Sequence, residues 1–382
     1  MEHQFAFLIH PFDRRDITRK LPALAALPDP TLDRLLRHLP PLLVDRIDGV
    51  TGAQGVKTSG WLVGTPLTSQ QLLELPWPVV YRKLLAAGKK AVRLGAKVLG
   101  LGAFTAVAGD AGVSLARRLP IAVTTGNSYT VAIALKAADV GARWMGWDPD
   151  RAGWVVMGAT GGVGRVSVEI LASRGRKVFA HVRDDRKAGE FLEYFRQRGL
   201  EGRIEMDHDV RRILSRAPLV ITCSSALEAV VQPQDLLPGA VVCDVARPRD
   251  VSRQVADHRP DVLVIDGGLV KVPGGYPGTL DLGLPADTVY ACMAETMVLA
   301  MEGRLEHFSL GRNLTADRVR EIADLAKKHG FELAAFRSFE RALTREAVER
   351  IRREADFRRG EAAPGPGADG RLTGDRPDPV GV

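Results

Sequence analysis

Gly153-Trp-Val-Val-Met-Gly158-Ala-Thr-Gly161-Gly162-Val-Gly164-Arg-Val-Ser-Val-Glu-Ile170 decides the fold. The apolar run Trp154–Met157 has the length of a buried strand. A glycine-rich turn follows at once, and Val163, Val166, Ile170 and Leu171 then recur at helical spacing. Strand, glycine turn and helix in that order open a βαβ nucleotide-binding unit. Gly158 permits the tight turn, Gly161 and Gly162 let the backbone approach a pyrophosphate, and Gly164 lets the helix lie close on the strand. Helix-start amides face the phosphate, which makes Gly158, Thr160, Gly161, Gly162 and Val163 candidate cofactor contacts.

The rhythm continues downstream. Strands are expected near Trp154–Met157, Lys177–Val182, Arg203–Met206, Leu219–Cys223, Ala240–Asp244 and Val262–Asp266, with helical segments between them. Six strands so spaced fit a doubly wound parallel sheet. The fourth strand runs out in small polar residues that leave room for a ligand, and Ser224 is a candidate there. The second strand ends at Arg183, where NAD-preferring sites usually place an acidic residue for the ribose hydroxyls. Guanidinium groups match a 2′-phosphate instead. Arg183 and Arg186 therefore point to NADPH. Asp184-Asp185 is the opposing signal, and a charged loop with no ligand is the plain alternative.

Upstream, Phe5–Ile9 reads as a strand, Val50–Val63 as a hairpin and Val79–Leu94 as an amphipathic helix. The strand ending at Thr124 is followed by a helix that Asn127 or Ser128 is placed to cap. The expected class is α/β: an N-terminal α/β domain plus a Rossmann-like doubly wound NADPH domain, with C-terminal helices. The expected boundaries are 1–145, 146–285, 286–359 for helices packing between the domains, and 360–382 for a disordered Gly/Pro/Ala-rich tail. A further helix is expected to start near Asp287.

Composition narrows the function classes. The 382 residues are 45% hydrophobic, enough for sizeable cores. No apolar run approaches the roughly 20 residues of a membrane span, and the N-terminus lacks a basic start and long apolar core, so a cytoplasmic protein is expected. Cys223, Cys243 and Cys292 are widely spaced, which argues against a zinc site or disulfide framework. The net charge of +7 comes without a nucleic-acid motif. No nucleic-acid partner is expected; an acidic protein partner or an ordinary solvated surface accounts for the excess.

Several blocks together carry a family resemblance: Leu99-Gly-Leu-Gly-Ala-Phe-Thr105, Thr124-Thr-Gly-Asn-Ser-Tyr-Thr130, Gly158-Ala-Thr-Gly161, Tyr290-Ala-Cys-Met-Ala-Glu-Thr296, Phe308-Ser-Leu-Gly-Arg-Asn313 and Lys328-His-Gly-Phe331. In these the chain resembles the cyanobacterial type of long-chain acyl-[acyl-carrier-protein] reductase, nearly throughout to Phe331. The resemblance implies NADPH-dependent reduction of an acyl thioester to a fatty aldehyde. It also implies an acyl carrier protein or CoA thioester as substrate partner, an aldehyde-consuming enzyme downstream, and a cysteine that receives the acyl group. The matching position is Cys292. Read without the family, Cys292 lies on an apolar helical face and is as well explained by packing. Asn127 and Ser128 lie where a loop can donate to an oxyanion or to the nicotinamide amide, or simply cap a helix. Phe104 and Thr105 are candidates for the acyl pocket. Arg312, with Asn313, is a candidate for the carrier's phosphopantetheine or for domain packing. His10 and His307 are candidate proton donors, with a satisfied or surface histidine as the alternative for each. The chain departs from the family in its extension past Phe331 and in Leu310, where the family has tryptophan. Two other readings remain: a reductase of a small carbonyl, and a non-catalytic NADPH-binding protein.

Overall fold

The computed structural model describes residues 3–11, 13–20, 22–226 and 228–360. The expected tail from residue 361 onward lies outside the described residues. The chain folds as two compact units, residues 1–129 with 270–332, and residues 130–269 with 333–382. Where the sequence suggests breaks at 145 and 285, one boundary falls inside the helix Asn127–Trp144 and the chain returns to the first unit at 270. The helices Ala291–Met301 and Ala316–Lys328 accordingly belong to the first unit, and Arg345–Arg359 to the second.

The first unit is built on a five-stranded sheet: β1 (Phe5–Ile9), β2 (Leu42–Thr51), β3 (Lys57–Gly64), β4 (Val98–Leu101) and β5 (Ala122–Thr124), in the order β2-β3-β1-β4-β5. β2 and β3 form the expected antiparallel hairpin, longer at its start than the sequence suggests. β3, β1, β4 and β5 run parallel, with Phe5 opposite Gly60 and Val98, and Leu99 opposite Val123. β1 and β4 are almost wholly buried, as central parallel strands covered on both faces must be. The helix Trp77–Arg93 opens with prolines in its first turn, where no amide hydrogen bond is lost. It turns Val80, Leu84, Ala87 and Ala91 into a core with Leu8, Leu99, Leu101 and Val123. Burying a Leu or Val of this kind contributes about 1.5–3 kcal/mol; Leu84→Ala would cost about 2–5 kcal/mol.

The helix Ala291–Met301 is apolar on every side apart from Glu295 and Thr296, and nearly all of it is buried. A helix of that kind belongs inside a domain. It packs on the sheet so closely that a methyl group at Gly100 of β4 would lie 2.1 Å from Thr296 Oγ1. The expected helix start near Asp287 is corrected: Thr288–Tyr290 form a short strand, and the helix begins at Ala291 with Tyr290 extended before it. Thr-Val-Tyr is a β-favouring triplet, and that local preference prevails.

The second unit holds the six parallel strands expected: β6 (Trp154–Met157), β7 (Val178–His181), β8 (Ile204–Asp207), β9 (Leu219–Thr222), β10 (Val241–Asp244) and β11 (Leu263–Asp266). Their order is β11-β10-β9-β6-β7-β8, with Val156 paired to Ala180 on one side and Ile221 on the other. This is the 3-2-1-4-5-6 order of the dinucleotide-binding sheet, and its direction reverses between β6 and β9. All strands but β8 are buried throughout. β8 is an edge and buries only Ile204. The α/β class and the Rossmann-like sheet stand as read from the sequence.

Candidate functional site

Two sites are built at strand carboxyl ends, one in each unit. In the first, β4 leads into the short helical turn Ala103–Ala106, and β5 leads through Thr125 and Gly126 into the helix Asn127–Trp144. Cys292 stands in the first turn of the helix Ala291–Met301, where amides lack intrahelical partners. Gly126 has φ +73°, and a methyl group there would fall 2.2 Å from Cys292 Cα and 2.3 Å from its Cβ. Only glycine supplies both the backbone angle and the space. The turn after β5 therefore rests directly on Cys292.

Cys292 is half-buried. Its environment pulls in two directions. Burial pushes the thiol up to about 12, and the carboxyl of Glu295 adds to that. The amides of Met293, Cys292 itself and Ala103 face the sulfur and favour its anion. The resting group is thus a neutral thiol with anion-stabilising donors already in place. Cys243 is also pushed up to about 12 and Cys223 further, both by burial and neighbouring aspartates. Among the described residues no group of three or more His, Cys, Asp or Glu is placed to hold a metal ion.

Glu295 is the residue that sequence reasoning passed over. It is the one charged side chain in Ala-Cys-Met-Ala-Glu-Thr-Met-Val-Leu-Ala-Met and is fully buried. That exception, three positions after the cysteine, was the available signal. The Thr124 hydroxyl donates to its Oε1, and the Tyr129 amide donates to Oε2 at 2.8 Å. The Gly126 amide and the Ser309 hydroxyl also bond the carboxyl. Burial pushes Glu295 above the usual carboxylate range against these donors.

The remaining candidates of this unit divide. The helix begins at Asn127 itself, so neither Asn127 nor Ser128 is the residue before it. Ser128 is fully buried; its Oγ is hydrogen-bonded to Ser309 Oγ at 2.7 Å, and its amide donates to the same oxygen at 3.3 Å. The Thr125 hydroxyl donates to the Ser309 carbonyl. Phe104 and Thr105 are buried, Phe104 in the core and edge-on to His10, Thr105 donating to the Gly102 carbonyl at 2.7 Å. Arg312 is exposed. His10 bonds the Phe104 amide through Nε2 at 3.1 Å and the Pro11 carbonyl through Nδ1 at 2.9 Å, and burial lowers its pKa to about 4. A neutral ring with both nitrogens engaged holds no proton to give near pH 7. His307 Nδ1 accepts from the Val123 amide at 3.2 Å. Residues of the blocks at 99–105, 124–130 and 290–296 thus meet at Cys292, and Ser309 of the block at 308–313 bonds Thr125, Ser128 and Glu295 beside it.

In the second unit the glycine turn sits where the sheet order reverses. Gly158 has φ +76°, and a methyl there would lie 2.9 Å from Ser224 Cα. A methyl at Gly164 would lie 2.3 Å from the Gly158 carbonyl oxygen. Gly161 precedes the helix Gly162–Ser173, and no side chain caps it. An uncapped helix start beside a close-packed glycine turn fits a pyrophosphate. Thr160, Gly162 and Val163 are partly accessible around it. Ser224 is held from behind: its amide donates to Asp250 Oδ2 at 2.8 Å and its hydroxyl to Oδ1 at 2.5 Å. Asp250 is raised to about 6, chiefly by burial. Arg183 is exposed at the end of β7, and its charge reaches Asp250. Arg186 is exposed and pairs with Glu190 at 3.9 Å. Of the opposing pair, Asp184 caps the helix Asp185–Arg196 by accepting from the Lys187 amide at 3.1 Å, and Asp185 lies 3.1 Å from His208 Nε2.

No protein-family model matches the chain. It is 31% identical over 307 residues to the aminotransferase PigE of Serratia sp., a match covering 80% of this chain and 36% of that protein. It is 25% identical over 317 residues to the long-chain acyl-[acyl-carrier-protein] reductase of Synechococcus elongatus, covering 77% of this chain and 87% of that one. The chain thus spans about a third of the length of PigE and most of the length of the reductase. Among solved structures, the L-tryptophan dehydrogenase of Nostoc punctiforme aligns over 94% of this chain and 89% of its own, with TM-score 0.40 and 13% identity. The nucleotide-binding domain of Thermoplasma volcanium glutamyl-tRNA reductase aligns over 37% of this chain and 86% of its own, with TM-score 0.26 and 16% identity. At such scores the fold rests on the sheet order itself. Among the described residues no helix is long and apolar enough to cross a membrane. The chain is therefore an α/β protein with a Rossmann-like nucleotide sheet, similar in sequence to an acyl-[acyl-carrier-protein] reductase and to part of an aminotransferase-named protein.

Proposed function

We propose that the protein is an NADPH-dependent reductase of fatty acyl thioesters that forms an aldehyde through an acyl group on Cys292. The carrying observation is a thiol at a helix start with three amides facing its sulfur and a glycine turn laid against it. Such amides stabilise negative charge on sulfur, or on the oxygen of an acyl group attacked there. Cys292 Sγ forms a bond to the thioester carbonyl carbon, the carrier's sulfur leaves, and the thiol proton leaves with it. One thioester replaces another, so the exchange is nearly balanced in energy. A reduced nicotinamide, when bound, would supply the hydride that takes the acyl carbon to the aldehyde level. The bond from that carbon to Cys292 Sγ then breaks, the sulfur takes up a proton from water, and the aldehyde leaves. Gly158, Thr160, Gly161, Gly162 and Val163 would hold its pyrophosphate. Ser224 would lie beside it, and Arg183 with Arg186 would favour a 2′-phosphate. The similarity to the Synechococcus enzyme, which spans most of that protein, supports the thioester substrate and an acyl carrier protein as partner, with a CoA thioester as the alternative donor.

A reductase of a small carbonyl would use the second unit alike but leave Cys292 unmodified. Intact-mass analysis after mixing with a long-chain acyl thioester, without NADPH, separates the two. The expected result is an acyl adduct on the wild type that is absent from Cys292→Ala. No adduct on either protein overturns the proposal.

A further inference from the structure

Glu295 is a buried carboxyl to which the reaction above gives no task, and its bonds are unusually specific. Its helix carries it one turn beyond Cys292, on the same side. All four of its partners belong to the segments beside the sulfur: the Thr124 hydroxyl at the end of β5, the Gly126 and Tyr129 amides, and Ser309. A leucine or methionine would pack in this apolar helix without the cost of burying a carboxyl. What an apolar side chain lacks is the means to hold a turn in register. The register matters here because Gly126 leaves less than a methyl group of slack over Cys292. A turn lifted by one ångström moves Gly126 and the Asn127–Ser128 pair relative to the sulfur and its own donors, the amides of Met293, Cys292 and Ala103, and a displacement of that size is enough to cost 100-fold in rate.

We propose that Glu295 is a positioning residue for Cys292: its carboxyl pins the Thr124–Tyr129 turn to the Cys292 helix, so that an acyl thioester meets the sulfur in a reactive pose. The inference rests on the reading of Cys292 as the acyl acceptor. Because the carboxyl also disfavours the thiolate by like charge, neutralising it acts on the sulfur in two opposite ways. Positioning is lost, and the thiolate becomes easier to form. Other titratable side chains at these strand ends are Tyr129 in the turn itself, whose phenol burial and the charge of Glu332 push up, His10 beyond β1, neutral with both nitrogens bonded, and His307 beside β5.

The test compares wild type, Glu295→Gln and Thr124→Val. Gln keeps the shape and removes the charge; Val keeps the volume and removes one hydroxyl donor. Three rates are read on the full chain: acylation of Cys292 by a long-chain acyl thioester, alkylation of Cys292 by iodoacetamide at pH 9, and amide hydrogen exchange over residues 124–129. In Glu295→Gln, acylation is expected to fall at least 10-fold, alkylation to hold or rise by up to about 10-fold, and exchange in the turn to quicken. Thr124→Val should show the same pattern at roughly a third of the effect on acylation. Unchanged acylation with unchanged exchange overturns the proposal. So does a parallel fall of acylation and alkylation, which would show a carboxyl that merely supports the fold. If wild type is not acylated at all, the Cys292 reading fails instead, and turn exchange in Glu295→Gln still decides whether the carboxyl holds the turn.

Discussion

Two turns in this molecule are made the same way and equipped differently. Gly126 follows β5, Gly158 follows β6; each has a positive φ, each is pressed against neighbouring backbone, and each leads into a helix. At Gly158 the neighbour is Ser224 at the end of β9, and the helix beyond presents uncapped amides. At Gly126 the neighbour is Cys292, and the amides that matter belong to a different helix and to the turn after β4. On the proposed reading, one backbone device would serve as a phosphate cradle or as part of a thiol site according to what is packed behind it. A glycine between strand and helix is by itself not diagnostic of nucleotide binding.

The largest expected effect separates the cysteines. Cys292→Ala should lower aldehyde formation by on the order of 1000-fold or more with little change in melting temperature. Cys223→Ala should retain most turnover, because that sulfur donates to the Met157 carbonyl at 3.1 Å and faces no comparable set of amides. A steady-state assay that ranks the two variants equally would erase the distinction.

Next come the two glycines. Gly126→Ala should lower acylation of Cys292 by about 100-fold while leaving NADPH affinity within a few-fold. Gly158→Ala should weaken NADPH by about 100-fold while the acyl adduct still forms, since a methyl there strains a positive-φ turn and presses on the Cys223–Ser224 backbone, displacing the turn that would meet the phosphate. Cofactor titration and intact mass on both variants give a crossed pattern, and a shared loss in both assays would refute the division of labour. A smaller effect sharpens the nucleotide side. Arg183→Gln should raise the NADPH dissociation constant about 10-fold, the loss of one charge-assisted contact, and leave NADH nearly unchanged.

The smallest effects are in pH dependence, with opposite signs in the two units. His10 is held neutral, with its pKa lowered to about 4 by burial. The unfolded chain takes the proton first, so the fold loses stability as pH falls from about 6.5 to about 4. Asp250 is raised to about 6 by burial. There the fold takes the proton first and gains stability as pH falls from about 6 to about 4. Each contribution is bounded at about 3 kcal/mol. Thermal unfolding at pH 7.5 and 4.5 should show a steeper acid loss in Asp250→Asn than in wild type, and a shallower one in His10→Gln.

Much of the second unit was legible because its determinants are local. Each strand is a short apolar run, each glycine sits at a fixed offset, and β6 to β11 fall within a residue or two of their expected places. Cys292 was singled out through the block around it, and its role stands as the proposal above. The missed features are non-local. Glu295 reads as an oddity in an apolar helix until Thr124 and Tyr129, 171 and 166 residues distant in sequence, come to meet it. Asp184-Asp185 stood as a signal against NADPH because nothing in the sequence reveals that an Asp184 oxygen accepts from the Lys187 amide. The return of the chain to the first unit at residue 270 is likewise a property of packing: the Gly/Pro-rich stretch from Lys271 to Pro285 marks a loop there but does not say which unit receives the chain.

A sulfur that rests as a thiol has a chemical shelf life. With burial pushing its pKa up to about 12, the sulfur is overwhelmingly the neutral thiol at pH 7. Peroxide and stray electrophiles attack the anion, so the idle protein should outlast one with an ionised cysteine under oxidative stress. On the proposed reading, reactivity would be conferred on the sulfur when a substrate arrives and withdrawn when it departs.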